Sequence, residues 1–188
     1  MKLQRLRHEL SVRSKNGMAF LVAGVIIWLM ITIIYLLPLE IAEQNVLMLF
    51  STGFMFPLAV LFSKLIKADW KTENHPLGDV GLYLNIAQFI YFPLLFWVFM
   101  KSPHDLVLFF AVITGAHFFP YGWFYHVKAY YVMAPVISVG MMVMGWSLNR
   151  LWLLPTAMVI FLLILIGWLF LDYKKKASRL SDRHRKQR

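Results

Sequence analysis

Hydrophobic residues along this chain gather into six stretches of about 20 residues each, separated by short polar connections. A helix of that length crosses a hydrocarbon core of about 30 Å, because each residue adds about 1.5 Å. The pattern therefore predicts an all-α integral membrane protein, a bundle of six transmembrane helices. The predicted spans are residues 18–37, 46–66, 80–100, 106–125, 129–148 and 151–171.

Two basic segments flank the predicted membrane domain, which covers residues 17–172. In the leader, residues 1–16, Leu3, Leu6 and Leu10 share one helical face among basic residues. This leader is either a short interfacial helix or a solvated segment that only sets topology. The C-terminal segment, residues 173–188, is a basic polar tail. The connections between spans are short except for residues 67–79, which contain the turn signal Asn74–His75–Pro76.

The basic residues lie almost entirely on one side of the predicted bundle. All of the 19 Lys and Arg residues except Lys101 and Arg150 fall in the leader, around the connections after spans 2 and 4, or in the tail. Because basic residues are retained in the cytoplasm, this asymmetry predicts that the N and C termini are both cytoplasmic. The net charge of +10 is then expected to meet anionic lipid headgroups and not nucleic acid.

The residue types disfavour an enzyme and a cofactor. The chain has no Cys, which excludes thiol catalysis, disulfides and thiolate metal sites. It also has no HExxH motif, no phosphate-binding glycine loop and no carboxylate pair inside a predicted span. We predict no metal and no other cofactor, because His117 has no second His, Asp or Glu three or four residues away.

Every predicted span except the first contains a proline. Proline removes a backbone hydrogen bond and bends or breaks a helix, so several spans are expected to be proline-kinked. The kinks are either an ordinary feature of membrane helices or a sign of broken helices that line a site. These prolines are Pro57, Pro93, Pro120, Pro135 and Pro155, and the first three each follow a Phe.

The only ionisable side chain deep inside a predicted span, apart from tyrosine, is that of His117. A histidine inside the membrane is energetically costly and indicates a functional site by default. From the helical rise, Gln88 of span 3 lies at the depth of His117, and Asn85 lies at the depth of Tyr121. We therefore predict a polar ladder between spans 3 and 4, with Gln88 opposite His117 and Asn85 opposite Tyr121. The ladder is extended by Thr114, Tyr91 and Tyr125.

Two functions are compatible with this ladder. In the first, it heads a cavity that binds or transports a small amphipathic or apolar solute, with walls from Phe54, Phe56, Phe89 and Phe118. In the second, cross-helix hydrogen bonds only hold the spans together, and the protein is a non-catalytic membrane scaffold or accessory protein whose tail engages lipids or a partner. A cavity lined by His117 would favour the first function, and a solidly packed interface the second. The limited interior of a small bundle is also compatible with a homodimer.

Three segments resemble a family of small bacterial multi-pass membrane proteins of unknown function. The most distinctive is ITGAHFFPYGWFY at residues 113–125, and the others are ELSVRSKNG at 9–17 and FPLAVLFSKL at 56–65. The resemblance covers nearly the whole chain. It implies a location in the bacterial cytoplasmic (inner) membrane, but no activity or ligand.

Overall fold

A computed structural model describes the backbone of residues 2–70 and 75–186 and the side chains of residues 3–70 and 75–178. Asn74 of the predicted turn and the side chains of most of the basic tail lie outside the described residues. Within the described residues the chain is helical and contains no strand. The helices are α1 (Lys2–Arg13), α2 (Met18–Leu36), α3 (Ile41–Thr52), α4 (Met55–Ile66), α5 (Gly78–Ala87), α6 (Phe92–Lys101), α7 (Leu106–His117), α8 (Phe119–Phe124), α9 (Lys128–Ser147) and α10 (Leu153–Lys186).

Five helical segments of the described chain are long and apolar enough to cross a membrane, and α3 with α4 makes a sixth if the two count as one bent span. The bend between α3 and α4 is 43°. The predicted set of apolar spans is therefore confirmed as an all-helical fold with five or six candidate membrane helices. The five segments are Lys15–Leu36, Gly78–Lys101, Pro103–Phe124, Lys128–Ser147 and Leu153–Ser178.

The helices pack around α2 and α9. Helix α2 contacts α3, α4 and α10, whereas α9 contacts α7, α8 and α10. The segment that holds α5 and α6 is attached much more loosely: only 11% of its most apolar part is buried, against 50% for the segment that holds α7 and α8. Most of this segment is therefore exposed, although Leu95 and Val98 of α6 are buried in the bundle.

The leader forms a helix that packs on the bundle. Leu10 of α1 is buried, and the Arg7 guanidinium lies 4.8 Å from the centre of the Trp123 ring. Arg13 forms an ion pair of 2.8 Å with Asp69, just after α4. Helix α1, the ends of α4 and α8 and the C-terminal part of α10 thus meet at one end of the bundle, which we call the basic end.

A buried amide joins three helical segments at the opposite end. Asn45 on α3 is fully buried, and its side-chain nitrogen donates to the carbonyl of Pro103, just before α7. The Tyr35 hydroxyl near the end of α2 donates to the side-chain oxygen of Asn45. The two hydrogen bonds measure 2.8 Å and 2.5 Å. They attach the connection between α6 and α7 to α2 and α3.

Three of the five prolines coincide with breaks between helices. The breaks fall at residues 53–54, 88–91 and 118, each directly before a Phe-Pro pair or separated from it by one residue. Pro135 instead lies inside the continuous helix α9, and Pro155 lies in the first turn of α10, where a missing backbone N–H costs nothing. The helices are therefore broken at Pro57, Pro93 and Pro120 only.

Helices α7 and α9 approach closely at a glycine. A Cβ atom on Gly115 would lie 2.7 Å from Cγ2 of Ile137 and 3.0 Å from the backbone nitrogen of Ser138. The Ser138 hydroxyl also donates to the carbonyl of Val112, across 3.2 Å. Close contact between helix backbones of this kind depends on a small residue, as in other membrane helix pairs.

We expect Gly115→Ala to lower the thermal unfolding temperature in detergent, because the added methyl group forces α7 and α9 apart. Overpacking of this kind costs about 1–3 kcal/mol. The matched control is Gly167→Ala on α10, where a Cβ atom would have no neighbour within 4 Å. Equal unfolding temperatures for the two variants would contradict the packing described here.

Candidate functional site

A cavity opens inside the bundle between α2, α5 and the junction of α7 with α8. The space that it leaves for a guest molecule is about 70 Å³, and the cavity is partly open to the surroundings. Ligand pockets in proteins range from about 300 to 1,000 Å³, so this cavity is smaller than a typical ligand pocket. Met55 of α4, Tyr130 of α9 and Leu162 of α10 complete the lining. The cavity can therefore hold one small group of a molecule whose remainder lies outside it.

Six of the seven residues predicted from the sequence line this one cavity. The exception is Tyr91, which is 45% exposed and takes no part in the lining. It belongs to the 3₁₀ turn Gln88–Tyr91 and lies one turn beyond Gln88. The six lining residues are Asn85, Gln88, Thr114, His117, Tyr121 and Tyr125.

The aromatic wall comes from a different helix than expected. Of the four phenylalanines predicted as walls only Phe118 lines the cavity, whereas Phe54, Phe56 and Phe89 are exposed and take no part in the lining. The wall is built instead from α2, and its aromatic members are Phe20 and Trp28. The sequence held one signal of this, since Trp28 is the tryptophan that lies in the middle of a span and not near its end.

The polar side chains do not form the predicted cross-helix ladder. In the described residues no hydrogen bond joins Gln88 to His117 or Asn85 to Tyr121. The Asn85 side-chain nitrogen donates instead to the carbonyl of Gly81 in its own helix, across 2.8 Å. The Tyr121 hydroxyl lies 3.4 Å from Nε2 of His117, one turn earlier in its own segment, which is a long contact. The polar groups therefore share an open space and do not bind each other across it.

The lining side chains differ in whether their polar atoms already have partners. The Thr114 hydroxyl donates to the carbonyl of Phe110, across 2.8 Å. The side-chain amide of Gln88, by contrast, makes no hydrogen bond within the described chain, and His117 has only the long contact with Tyr121. Gln88 and His117 are consequently the groups best able to bind a guest molecule.

Three tyrosine rings close the cavity at the basic end. The ring centres lie 6.0 Å apart for Tyr121 and Tyr125, 6.0 Å for Tyr125 and Tyr130, and 5.9 Å for Tyr121 and Tyr130. A Cβ atom on Gly17 would lie 2.7 Å from Cε2 of Tyr125, and Gly17 has a left-handed φ of +76°. Only glycine satisfies both conditions without strain. We call these three rings the tyrosine floor.

A buried polar cluster lies beneath the tyrosine floor and joins the leader to α10. Asn16 is fully buried with a left-handed φ of 57°, and its side-chain nitrogen donates to the carbonyl of Leu169 (3.0 Å) and to Asp172 (3.2 Å). Its side-chain oxygen accepts from the Ser11 hydroxyl. Lys176 forms an ion pair with Asp172 across 2.9 Å and donates to Ser11 across 2.8 Å. Sequence reasoning missed this cluster, although an Asn-Gly pair at 16–17 is a turn signal.

The connection between α8 and α9 is held by the same lysine. Lys176 donates to the backbone carbonyls of Tyr125 and His126, across 3.3 Å and 3.2 Å. Partial burial, followed by the nearby cations Arg7 and Lys176, lowers the pKa of His126 below its usual value, against the opposing effect of Asp172. The lowered pKa favours the neutral form of the His126 imidazole.

No three His, Asp or Glu side chains come together as metal ligands in the part of the chain that the structure describes.

One family profile matches residues 3–172, which include every residue that lines the cavity. The chain belongs to the family of unknown function DUF7010. This agrees with the resemblance to an uncharacterised family that the sequence indicated. No curated protein and no solved structure matches the chain. In this member of DUF7010, the cavity is the feature from which a function can be argued.

We expect Asn16→Ala to destabilise the protein by about 2 kcal/mol or more, because it leaves buried polar groups unpaired and places Ala at a left-handed φ. Asn16→Gly keeps the backbone conformation but loses the same hydrogen bonds, so it should be intermediate. Asn149→Ala, in the exposed turn before α10, is the control. Thermal unfolding in detergent measures all three, and equal stability of Asn16→Ala and Asn149→Ala would refute the role of the cluster.

Proposed function

We propose that this protein is a six-span membrane protein that binds a small amphipathic or apolar molecule in the cavity between α2, α5 and α7–α8. The observation that carries the proposal is the cavity itself, which brings Asn85, Gln88 and His117 together among aromatic walls. Ligand sites are mostly apolar with a few convergent polar groups, and this lining has that character. Transport of the same molecule would use the same site.

The absence of a polar ladder supports binding over the scaffold alternative. A scaffold needs a solidly packed interface, with Asn, Gln and Tyr side chains paired across it. Here the amide of Gln88 and the imidazole of His117 face open space instead of each other. A buried or half-buried amide that has no partner is costly unless water or a ligand satisfies it.

We propose further that both termini are cytoplasmic, in the inner membrane of a bacterium. The supporting observation is that Arg13, Lys67, Lys128 and Lys176 all lie at the basic end, together with α1. Basic residues at this end would face the anionic headgroups of the inner leaflet, where each contributes about 1 kcal/mol.

This orientation can be tested with single cysteines, because the chain has none of its own. Ser147 and Ser178 are both exposed serines, at the opposite end and the basic end respectively. We expect a membrane-impermeant maleimide to label Ser147→Cys in intact cells and to label Ser178→Cys only after the membrane is opened. The reverse pattern would show the inverted orientation, and labelling of both in intact cells would contradict insertion as a six-span bundle.

The binding site can be tested by filling it. Gly24 lines the cavity, and a Cβ atom there meets only Leu162, at an ordinary 3.6 Å. We expect native mass spectrometry of the protein from gentle detergent to find a bound small molecule that is lost in Gly24→Leu. Gly167→Leu, which adds the same side chain in open space outside the lining, should retain it. Equal occupancy in both variants, or only phospholipid in every sample, would rule out the proposal and favour the scaffold.

The contribution of the imidazole is tested by His117→Ala. We expect about a tenfold loss of affinity for the bound molecule, since one hydrogen bond contributes about 1 to 1.5 kcal/mol. His104→Ala, on an exposed histidine at the opposite end, is the control and should change nothing. An affinity that is the same in both variants would remove His117 from the site.

A further inference from the structure

The chemistry of the lining also specifies a class of ligand. We infer that the cavity takes an uncharged amphiphile with a planar ring, whose hydroxyl or carbonyl oxygen hydrogen-bonds to Gln88 and His117. This inference rests on the proposed function and deepens it, because it says which kind of amphipathic molecule the same site would select.

The lining of the cavity carries no formal charge. Among the described residues, no Asp, Glu, Lys or Arg lines the cavity, and His117 is the one ionisable side chain in the lining besides the tyrosines. Asp172 and Lys176 lie beneath the tyrosine floor and neutralise each other in an ion pair of 2.9 Å. A charged ligand would lose its hydration without meeting an opposite charge, which is unfavourable. The lining therefore selects against anions and cations alike.

The shape of the lining favours a flat ligand. Flat, rigid side chains from several helices surround the space, among them Phe20, Trp28, Phe118 and Tyr121. Trp28 is held in place by stacking on Phe110, with ring centres 5.2 Å apart and planes inclined by 29°. Tyr121 is similarly stacked on Tyr125. Aromatic walls that are held in place by stacking favour a planar guest, since ring pairs attract each other beyond the effect of their buried area.

The polar groups of the lining favour a ligand that can form hydrogen bonds. The side-chain amide of Gln88 has donors and an acceptor, and it makes no hydrogen bond within the described chain. The side-chain nitrogen of Asn85 already donates to the carbonyl of Gly81, but its side-chain oxygen is available to accept a hydrogen bond. The Thr114 hydroxyl already donates to Phe110. A purely hydrocarbon guest would leave the amide of Gln88 without a hydrogen-bond partner, which is unfavourable. A ring that carries a hydroxyl or carbonyl group satisfies it.

The test uses a series of probes that share a decyl chain and differ in the head. These are para-decylphenol (a neutral ring), para-decylbenzenesulfonate (an anionic ring), (para-decylphenyl)trimethylammonium (a cationic ring) and decanol (neutral, without a ring). Protein in phosphatidylcholine nanodiscs is captured after equilibration with each probe, and the retained probe is measured relative to empty nanodiscs. This reference removes the contribution of partition into lipid.

We expect para-decylphenol to be retained at least about tenfold more than either charged ring and more than decanol. Gly24→Leu should abolish this excess, and Gln88→Leu should reduce it about tenfold. Gln4→Leu, on an exposed residue of α1, is the matched control and should leave it unchanged. Phenol without a tail shows whether the ligand enters from water or from the membrane. Retention of phenol equal to that of para-decylphenol supports a water-soluble ligand, and weaker retention supports a ligand dissolved in the membrane.

The outcomes separate this inference from the function on which it rests. If a charged probe or decanol binds as well as para-decylphenol, and Gly24→Leu abolishes its binding, the ligand class is wrong while the binding function stands. If no probe shows Gly24-dependent retention but native mass spectrometry finds a small molecule that Gly24→Leu loses, the ligand class is again overturned. If that molecule is also missing, the proposed function fails together with it.

Discussion

The backbone turn at Lys15, Asn16 and Gly17 holds the N-terminal helix α1 and the C-terminal helix α10 together. All three residues have a left-handed φ, which separates α1 from α2 and lets α1 fold back onto the bundle. Asn16 then binds three other elements: its side chain contacts Ser11 of α1 and Asp172 of α10, and its carbonyl accepts a hydrogen bond of 2.8 Å from Tyr130 of α9. Unpaired polar groups at this depth would be costly, so a fully paired cluster fixes one arrangement of these helices. The tyrosine floor rests directly on it.

The cavity exists because three helices are interrupted at its level. Met55 follows the break between α3 and α4, Gln88 begins the 3₁₀ turn between α5 and α6, and His117 is the last residue of α7. An unbroken helix packs its side chains against a neighbour along its whole length, whereas a break changes the direction of the chain and leaves a gap. In a proposed binding protein, the Phe-Pro pairs therefore act through the backbone: they open the space that other residues line.

The sequence predicts the depth at which a side chain lies in its span, but it says little about which side chains are in contact. Helical rise and antiparallel order are enough to place Gln88 and His117 at one level, and the structure brings both to one cavity. Rise alone does not report the distance between two helices, so it could not show that a gap replaces the predicted ladder. Phe20 was missed because an apolar residue in an apolar span has no pattern that distinguishes a cavity wall from a lipid-facing surface. The Asn16 cluster was missed because the partners of Asn16 on α10, Leu169 and Asp172, lie 153 and 156 residues further along the chain.

Because α5 and α6 are loosely attached, part of the cavity is lined by a segment that other helices do not hold firmly in place. With 11% of its most apolar part buried, this segment is held by few protein contacts, yet α5 carries Asn85 and the turn that follows it begins with Gln88. In a membrane, such a helix is stabilised mainly by the lipid around it, as an independently inserted segment. Its tilt would then follow the thickness of the bilayer. Lipid composition would thereby set the width of the cavity, and two membranes of different thickness would give one sequence two cavities of different width.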